Sequence, residues 1–307
     1  MLKGGFGKST FASSLGGILG EFRGHDVLVI DLDPAGHLST GLGYYTRENE
    51  DATDLSDVLL DGAPIDEIIK NPGFGFDFIP AVNLDDVTDD LSKDSVLASD
   101  LKLKQQLVDK HLGDRYDYML FDVPGTRNKL TNNAVLAAPN AILPLMPKPE
   151  AMNGLRETAT RLVGPIREQV GTLEILAAVP NDLSVRTDHQ TKDRQLLEAM
   201  NTQESFAALL LAGYDGVDAR NGMLPEDVDL EPVLDDHIPS FARITSEEWA
   251  AIDAGKVEPP KPPIRHTGAV GDAYLERKPL TAYDPENEQL EAFGEIADII
   301  ERGGIDQ

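Results

Sequence analysis

Residues 4–10 read GGFGKST, and few folds can use such a run so close to a helix start. Gly4, Gly5 and Gly7 let successive backbone N–H groups close around phosphate oxygens. The helix that follows adds the positive end of its dipole. In a loop of this kind Lys8 reaches the outer phosphates, and Ser9, followed by Thr10, ligates Mg²⁺. The common form is G-x-x-x-x-G-K-[ST] after a β-strand. Here the first glycine of that pattern falls on Leu2, and only two residues precede Lys3. The loop therefore lacks its strand within this chain.

The rest of the chain alternates. STFASSLGGILGEF places Phe11, Leu15, Ile18, Leu19 and Phe22 at helical spacing, and Gly24 can end that helix. DVLVIDLD, FGFDFIPA, YDYMLFDVPG, NAILPLMP and LEILAAVPN read as short buried strands. VLASDLKLKQQLVDKHLG, closing on Gly113, EAMNGLRETATRLVGPIREQV and PENEQLEAFGEIADIIERGG read as helices. This order predicts an α/β fold, a mostly parallel sheet flanked by helices in one domain spanning 1–307. The polar segment 201–236 and the proline-rich region near 255–280 fit the alternation poorly and are expected to be elaborations.

Composition narrows the setting. The chain carries 27 Lys and Arg against 54 Asp and Glu, a formal net charge of -27 and a pI near 4.4. Such a surface repels itself, and DNA, at low salt. It suits a salt-rich cytoplasm, where the Debye length shrinks to about 3 Å at 1 M. A halophilic protein is expected. The absence of cysteine excludes disulfides, thiolate metal sites and thiol nucleophiles. No apolar run approaches the roughly 20 residues of a membrane span, and the N-terminus shows no secretory signal, so a soluble cytoplasmic protein is expected.

Lys3 sets the loop apart. K-G-G-x-G-K-[ST] resembles the deviant Walker A loop of the ParA/MinD ATPase superfamily. The resemblance continues in VLVIDLDPAGHLSTGLGY, where that superfamily usually reads D-x-D-P-Q-G, and in YMLFDVPG, which is similar to its Walker B strand. It implies a P-loop NTPase using ATP and Mg²⁺. Lys8 and the loop residues 4–10, Phe6 included, hold the nucleotide, and Lys3 contacts the nucleotide of a dimer partner. Asp33 orients the attacking water, while Asp31 lies beside the metal and phosphates. Asp122 holds Mg²⁺ through water, and Pro124-Gly125 senses the γ-phosphate. Ala35 stands where the superfamily commonly has Gln. Asn181 in LAAVPNDLSVRT and Pro239 in HIPSFARI are expected to border the base. The superfamily's loop follows a central strand, which leads to the expectation that Met1 is an internal methionine; a truncated and inactive copy is the alternative.

Within the superfamily, an acidic last helix disfavours MinD-like membrane cycling, and the absence of cysteine disfavours the metal-cluster and arsenite branches. A haloarchaeal-like ParA/Soj-type partition ATPase remains. It implies dimerisation on ATP, non-specific binding of double-stranded DNA, nucleoid association and slow hydrolysis stimulated by a ParB-like partner. Its DNA face would need bases, and the richest clusters are Lys261, Arg265, His266, Arg277 and Lys278, then Arg186, Lys192 and Arg194. Pairing of these bases with neighbouring acids is the competing reading. A nucleotide switch that positions a protein cargo without DNA also stays open.

Overall fold

A computed structural model of the chain describes residues 5, 7–44, 53–93, 96, 98–148, 150–170, 173–184, 192–258 and 262–303. It divides into two compact units, one of residues 8–139 and 268–297, the other of residues 1–7, 140–267 and 298–307.

The first unit is built on three parallel strands in the order β2-β1-β3: β1 (Val27–Asp31), β2 (Asp77–Ile79) and β3 (Tyr118–Asp122). Every residue of β1 is buried, as expected of a strand paired on both edges and covered on both faces. The register sets Asp31 opposite Asp122, so both acids end their strands at one level. Helix α1 (Lys8–Gly17) lies against β1 and β3. Gly16 allows the approach, because a Cβ there would come within 2.7 Å of Val29 Cγ2. The expected stripe holds at Phe11, Leu15, Ile18 and Leu19, all buried. Phe22 leaves it and is 47 % exposed. The backbone widens to a π-type turn over Ile18–Phe22, which rotates the last side chain off the 3.6-residue face. Gly24, in left-handed conformation, ends the run as expected.

Phe11 meets Phe293 edge to face, with centroids 5.0 Å apart, and each contributes about 1.5–3 kcal/mol by burial. The C-terminal helix Gln289–Arg302 thus uses its apolar face on the core, with Leu290, Phe293, Ile296 and Ala297 buried. The opposite face of the sheet is covered by α3 (Leu84–Leu91) and by the helical run at 102–111. Leu28, Ile30, Ile79, Val87, Leu103, Leu107 and Leu130 form one cluster there. Gly113 closes that run at φ 82°, as the sequence predicts.

The second unit holds two parallel strands, β4 (Asn140–Leu145) and β5 (Glu174–Pro180), with an irregularity between Ala141 and Ile142. Helical backbone runs from 151 to 170 between them and passes through Pro165. A proline inside a helix removes a hydrogen bond and clashes with the preceding turn. Here π-type bonding over Ala159–Val163, just upstream, absorbs the mismatch. The segment 201–236 includes the helices Glu204–Leu210 and Leu230–His237, which bury Phe206, Leu209, Leu210 and Leu234. Its connecting loop is pinned where Asp218 and Met223 exchange two backbone hydrogen bonds of 3.0 Å. Among the described residues no helix is long and apolar enough to cross a membrane.

Candidate functional site

The loop is built by conformation first. Gly5 and Gly7 have φ of 76° and 83°, in the left-handed region that glycine enters without strain. Lys3, Gly4 and Phe6 lie outside the described residues. Gly7 is also pressed from the side, because a Cβ there would stand 2.2 Å from Asn181 Nδ2. Asn181 is held in turn, its backbone N–H donating to Leu145 O at 2.7 Å. Lys148 Nζ donates to the carbonyl of Gly5 at 2.7 Å. The loop glycines are thus braced by two side chains that follow β4 and β5. Asn181, expected at a base, touches the phosphate loop itself, while Pro239 is buried ahead of a short helical turn at Ser240–Ala242. Gly7→Ala is expected to lower stability by about 1–2 kcal/mol from backbone strain alone. The clash adds to this, so Gly7→Ala with Asn181→Ala should lose less than the sum of the two single losses. Urea midpoints of the four proteins check both statements.

Two buried acids belong to the first unit. Asp31 and Asp122 are buried to 1 % and 2 % exposure. Burial raises both carboxyls, Asp31 to about 6 and Asp122 to about 7. The charge of Asp31 raises Asp122 further, and Asp33 raises both. Lys8 and Ser9 pull Asp122 the other way, so the head of α1 faces this carboxylate. The Ser9 contact falls short of hydrogen-bond geometry, and both oxygens of Asp122 lack a hydrogen-bond partner.

Asp31 is in the opposite condition. Its Oδ1 accepts the Asp33 N–H at 3.1 Å, and its Oδ2 accepts the Ser39 N–H at 2.8 Å and the Ser39 hydroxyl at 2.7 Å. Asp33 is half-buried, and its Oδ1 accepts the Ala35 N–H at 3.0 Å, closing a turn ahead of α2 (His37–Gly41).

An orphaned buried carboxylate is costly unless a cation or proton joins it. Asp122, with the Ser9 hydroxyl across from it, fits Mg²⁺, which takes one or two protein oxygens and completes its shell with water and phosphate. Among the described residues no group of three or more His, Asp or Glu could hold a metal ion by itself.

The bases expected on a DNA face divide. Arg194 pairs with Glu198 and Asp253, which answers to the charge-pairing reading. Arg265 donates to Pro262 O at 3.5 Å, and its neighbour His266 meets Asp182 at 2.7 Å. Arg277 and Lys278, in the other unit, are exposed and make no ion pair among the described residues. Arg186 and Lys261 lie outside the described residues. Two functional candidates were missed by sequence reasoning, Lys148 and Ser39. Lys148 follows a strand end at the level of the loop, and Ser39 sits in a helix opened by the D-P-A-G turn; either position could have raised the question.

Parallel strands ending in acids at the head of a glycine-loop helix define the α/β P-loop NTPase class. The AAA_31 family, described as an AAA domain, matches residues 1–173, and the chain belongs to it. It is 37 % identical over 173 residues to the chromosome partitioning protein ParA of Caulobacter vibrioides, covering 56 % of this chain and 61 % of that protein. The chain spans about three-fifths of the length of the curated relatives it matches. Among solved structures, the ATP complex of a McdA variant from Cyanothece has a TM-score of 0.64 at 20 % identity, covering 100 % of this chain and 96 % of that one. Cobyrinic acid a,c-diamide synthase from Mycobacterium smegmatis, with bound ATP analog and magnesium, has a TM-score of 0.57 at 25 % identity, covering 65 % and 78 %.

Proposed function

We propose that the chain is a Mg²⁺-dependent ATPase of the ParA partition type. The observation that carries this is the orphaned Asp122 carboxylate facing Ser9 and Lys8, with Asp33 close enough to shift its titration. Bound there, Mg²⁺ supplies charge neutralisation to the triphosphate. Lys8 adds a second positive charge on the outer phosphates, and Ser9 and Asp122 hold the metal, directly or through water. Gly5 and Gly7 present backbone N–H groups, braced by Lys148 and Asn181. Asp33 orients the attacking water in line with the terminal phosphoryl group. Asp31, beside the metal, organises the loop that carries Asp33.

In this reading ATP promotes a homodimer, with Lys3 reaching the partner's nucleotide. The dimer binds double-stranded DNA non-specifically on the nucleoid, and a ParB-like protein stimulates slow hydrolysis. The names of the relatives support partition, and Arg277 and Lys278 are exposed cations with no ion pair among the described residues. Arg265, in the other unit, is a further candidate for phosphate contact. One observation favours a second reading. A net charge of -27 opposes DNA, so a nucleotide switch acting on a protein cargo is the competing account.

Sedimentation with double-stranded DNA in molar KCl, with ATP–Mg²⁺ against ADP, separates the two. Partition requires pelleting with ATP only, lost in Lys3→Ala and in Arg277→Glu/Lys278→Glu. ATP hydrolysis without any ATP-dependent pelleting moves the function to a protein cargo.

A further inference from the structure

Ser39 is fully buried, and each polar atom of it is engaged. Its oxygen accepts the Ala81 N–H at 2.8 Å, from the residue that follows the end of β2 by two. A hydroxyl has one proton, and an N–H can only donate. The Ser39 proton is therefore left for Asp31 Oδ2, at 2.7 Å, and the backbone N–H of Ser39 joins it there at 2.8 Å. Asp31 passes the order on through Oδ1, which holds the Asp33 N–H at 3.1 Å. The Asp33 side chain is then tied to Ala35 N–H at 3.0 Å. The result is one connected path: Ala81, Ser39, Asp31, Asp33, Ala35.

We propose that Ser39 is a positioning residue for the reaction, holding the Asp31 carboxylate on its own loop and fixing the turn that aims Asp33. This rests on the ATPase reading above. It gives the two buried carboxylates different work. Three donors converge on Asp31, so its oxygens are committed to the loop. Asp122 has none and keeps both oxygens open. Without the Ser39 hydroxyl, Asp31 Oδ2 loses one donor and the Ala81 N–H loses its acceptor. Asp31 then keeps only the two backbone donors, Ser39 N–H and Asp33 N–H, and is held less firmly, which loosens the turn that aims Asp33.

The test compares the whole wild-type chain with Ser39→Ala and Ser39→Thr. Steady-state ATP hydrolysis with Mg²⁺ gives kcat and KM, and a fluorescent ATP analogue gives nucleotide Kd. Ser39→Ala should lower kcat by about tenfold or more, since small misplacements of a water-orienting group cost this much, while KM and Kd stay within about threefold. Ser39→Thr keeps the hydroxyl and should retain kcat within about threefold of wild type. A purely packing role predicts the reverse order, because Thr adds a methyl group to a full site and Ala adds nothing. The proposal is overturned if Ser39→Ala keeps wild-type kcat, or if Ser39→Thr is the worse of the two. If Ser39→Ala does not fold, Ser39→Cys, with a weaker donor of similar size, must show the kcat loss at unchanged Kd, and unchanged kcat sinks the idea. Wild-type protein that neither binds nor hydrolyses ATP overturns the ATPase reading itself; active wild type matched by Ser39→Ala overturns only the role of Ser39.

Discussion

Asp122→Asn should make the nucleotide-free protein more stable at pH 8 and abolish its Mg²⁺-dependent ATP hydrolysis. The first half follows from burial. In the unfolded chain the Asp122 carboxyl titrates near 3.8, and in the folded protein at about 7. A carboxyl whose folded value is raised binds its proton more tightly when folded. Its contribution to stability is complete below the unfolded value and is lost as the pH rises through the folded one. Between roughly pH 4 and pH 7 the unfolded chain ionises this carboxyl while the folded, nucleotide-free protein keeps it protonated, so stability falls steadily across that window. The difference between the folded and unfolded values corresponds to at most about 4 kcal/mol, and relaxation around the site brings the expected figure to about 2–4 kcal/mol. Asparagine fills the same space without the charge. The gain from Asp122→Asn should be largest at pH 8, smaller at pH 5, and vanish only below about pH 4, where the carboxyl is protonated in both states.

The control is Mg²⁺–ATP itself. Ligand that binds only the folded state stabilises it in proportion to the logarithm of its concentration over Kd. Wild type at pH 8 should gain from Mg²⁺–ATP, and Asp122→Asn should gain little. Urea midpoints at pH 5 and pH 8, with and without Mg²⁺–ATP in molar KCl, decide it. An equal effect of the substitution at both pH values would show that Asp122 carries no burial penalty.

Asp122 was legible in the sequence because an apolar run ending in Asp is a local pattern, and so were Lys8, Ser9 and Asp33. What could not be read is which oxygen of which acid is spoken for. Asp31 and Asp33 are two residues apart in an identical-looking pair. Only the fold, by bringing Ser39 and Ala81 to Asp31, shows which donors hold its carboxylate. The same holds for the end of the first helix. Phe22 kept the helical spacing, but the π-type turn that exposes it is a backbone choice that spacing does not record. No local pattern singles out Lys148, and its bond to Gly5 spans a sequence distance of 143 residues. Local chemistry announces loops and strand ends; the partners of a buried polar group are set by topology.

Arg167→Met should cost about 3–5 kcal/mol, because it removes the cationic centre of a network buried away from water. Arg167 is 6 % exposed. Its Nε donates to Leu173 O at 2.6 Å, and its Nη1 donates to Leu210 O at 2.7 Å and to Ala212 O at 3.0 Å. Leu210 ends the helix Glu204–Leu210, whose last carbonyls have no partner within the helix. A cation there also faces the negative end of the helix dipole. The guanidinium carbon lies 4.4 Å from the centroid of the Tyr214 ring, and Nη2 is 3.7 Å from Glu174 Oε2. Burial lowers the Arg167 pKa, yet an arginine keeps its charge at any working pH. One side chain thus ties the helix at Gly164–Val170, the start of β5 and the end of a second helix. Methionine fits the volume but leaves three buried carbonyls unpaired and Glu174 without its cation. Lysine keeps the charge and still fails, because a single ammonium cannot reproduce a planar fork, and a loss of about 2 kcal/mol or more is expected. Urea unfolding of both variants measures this directly. A loss below about 1 kcal/mol for Arg167→Met would mean that water replaces the guanidinium and that the network is ornamental to stability.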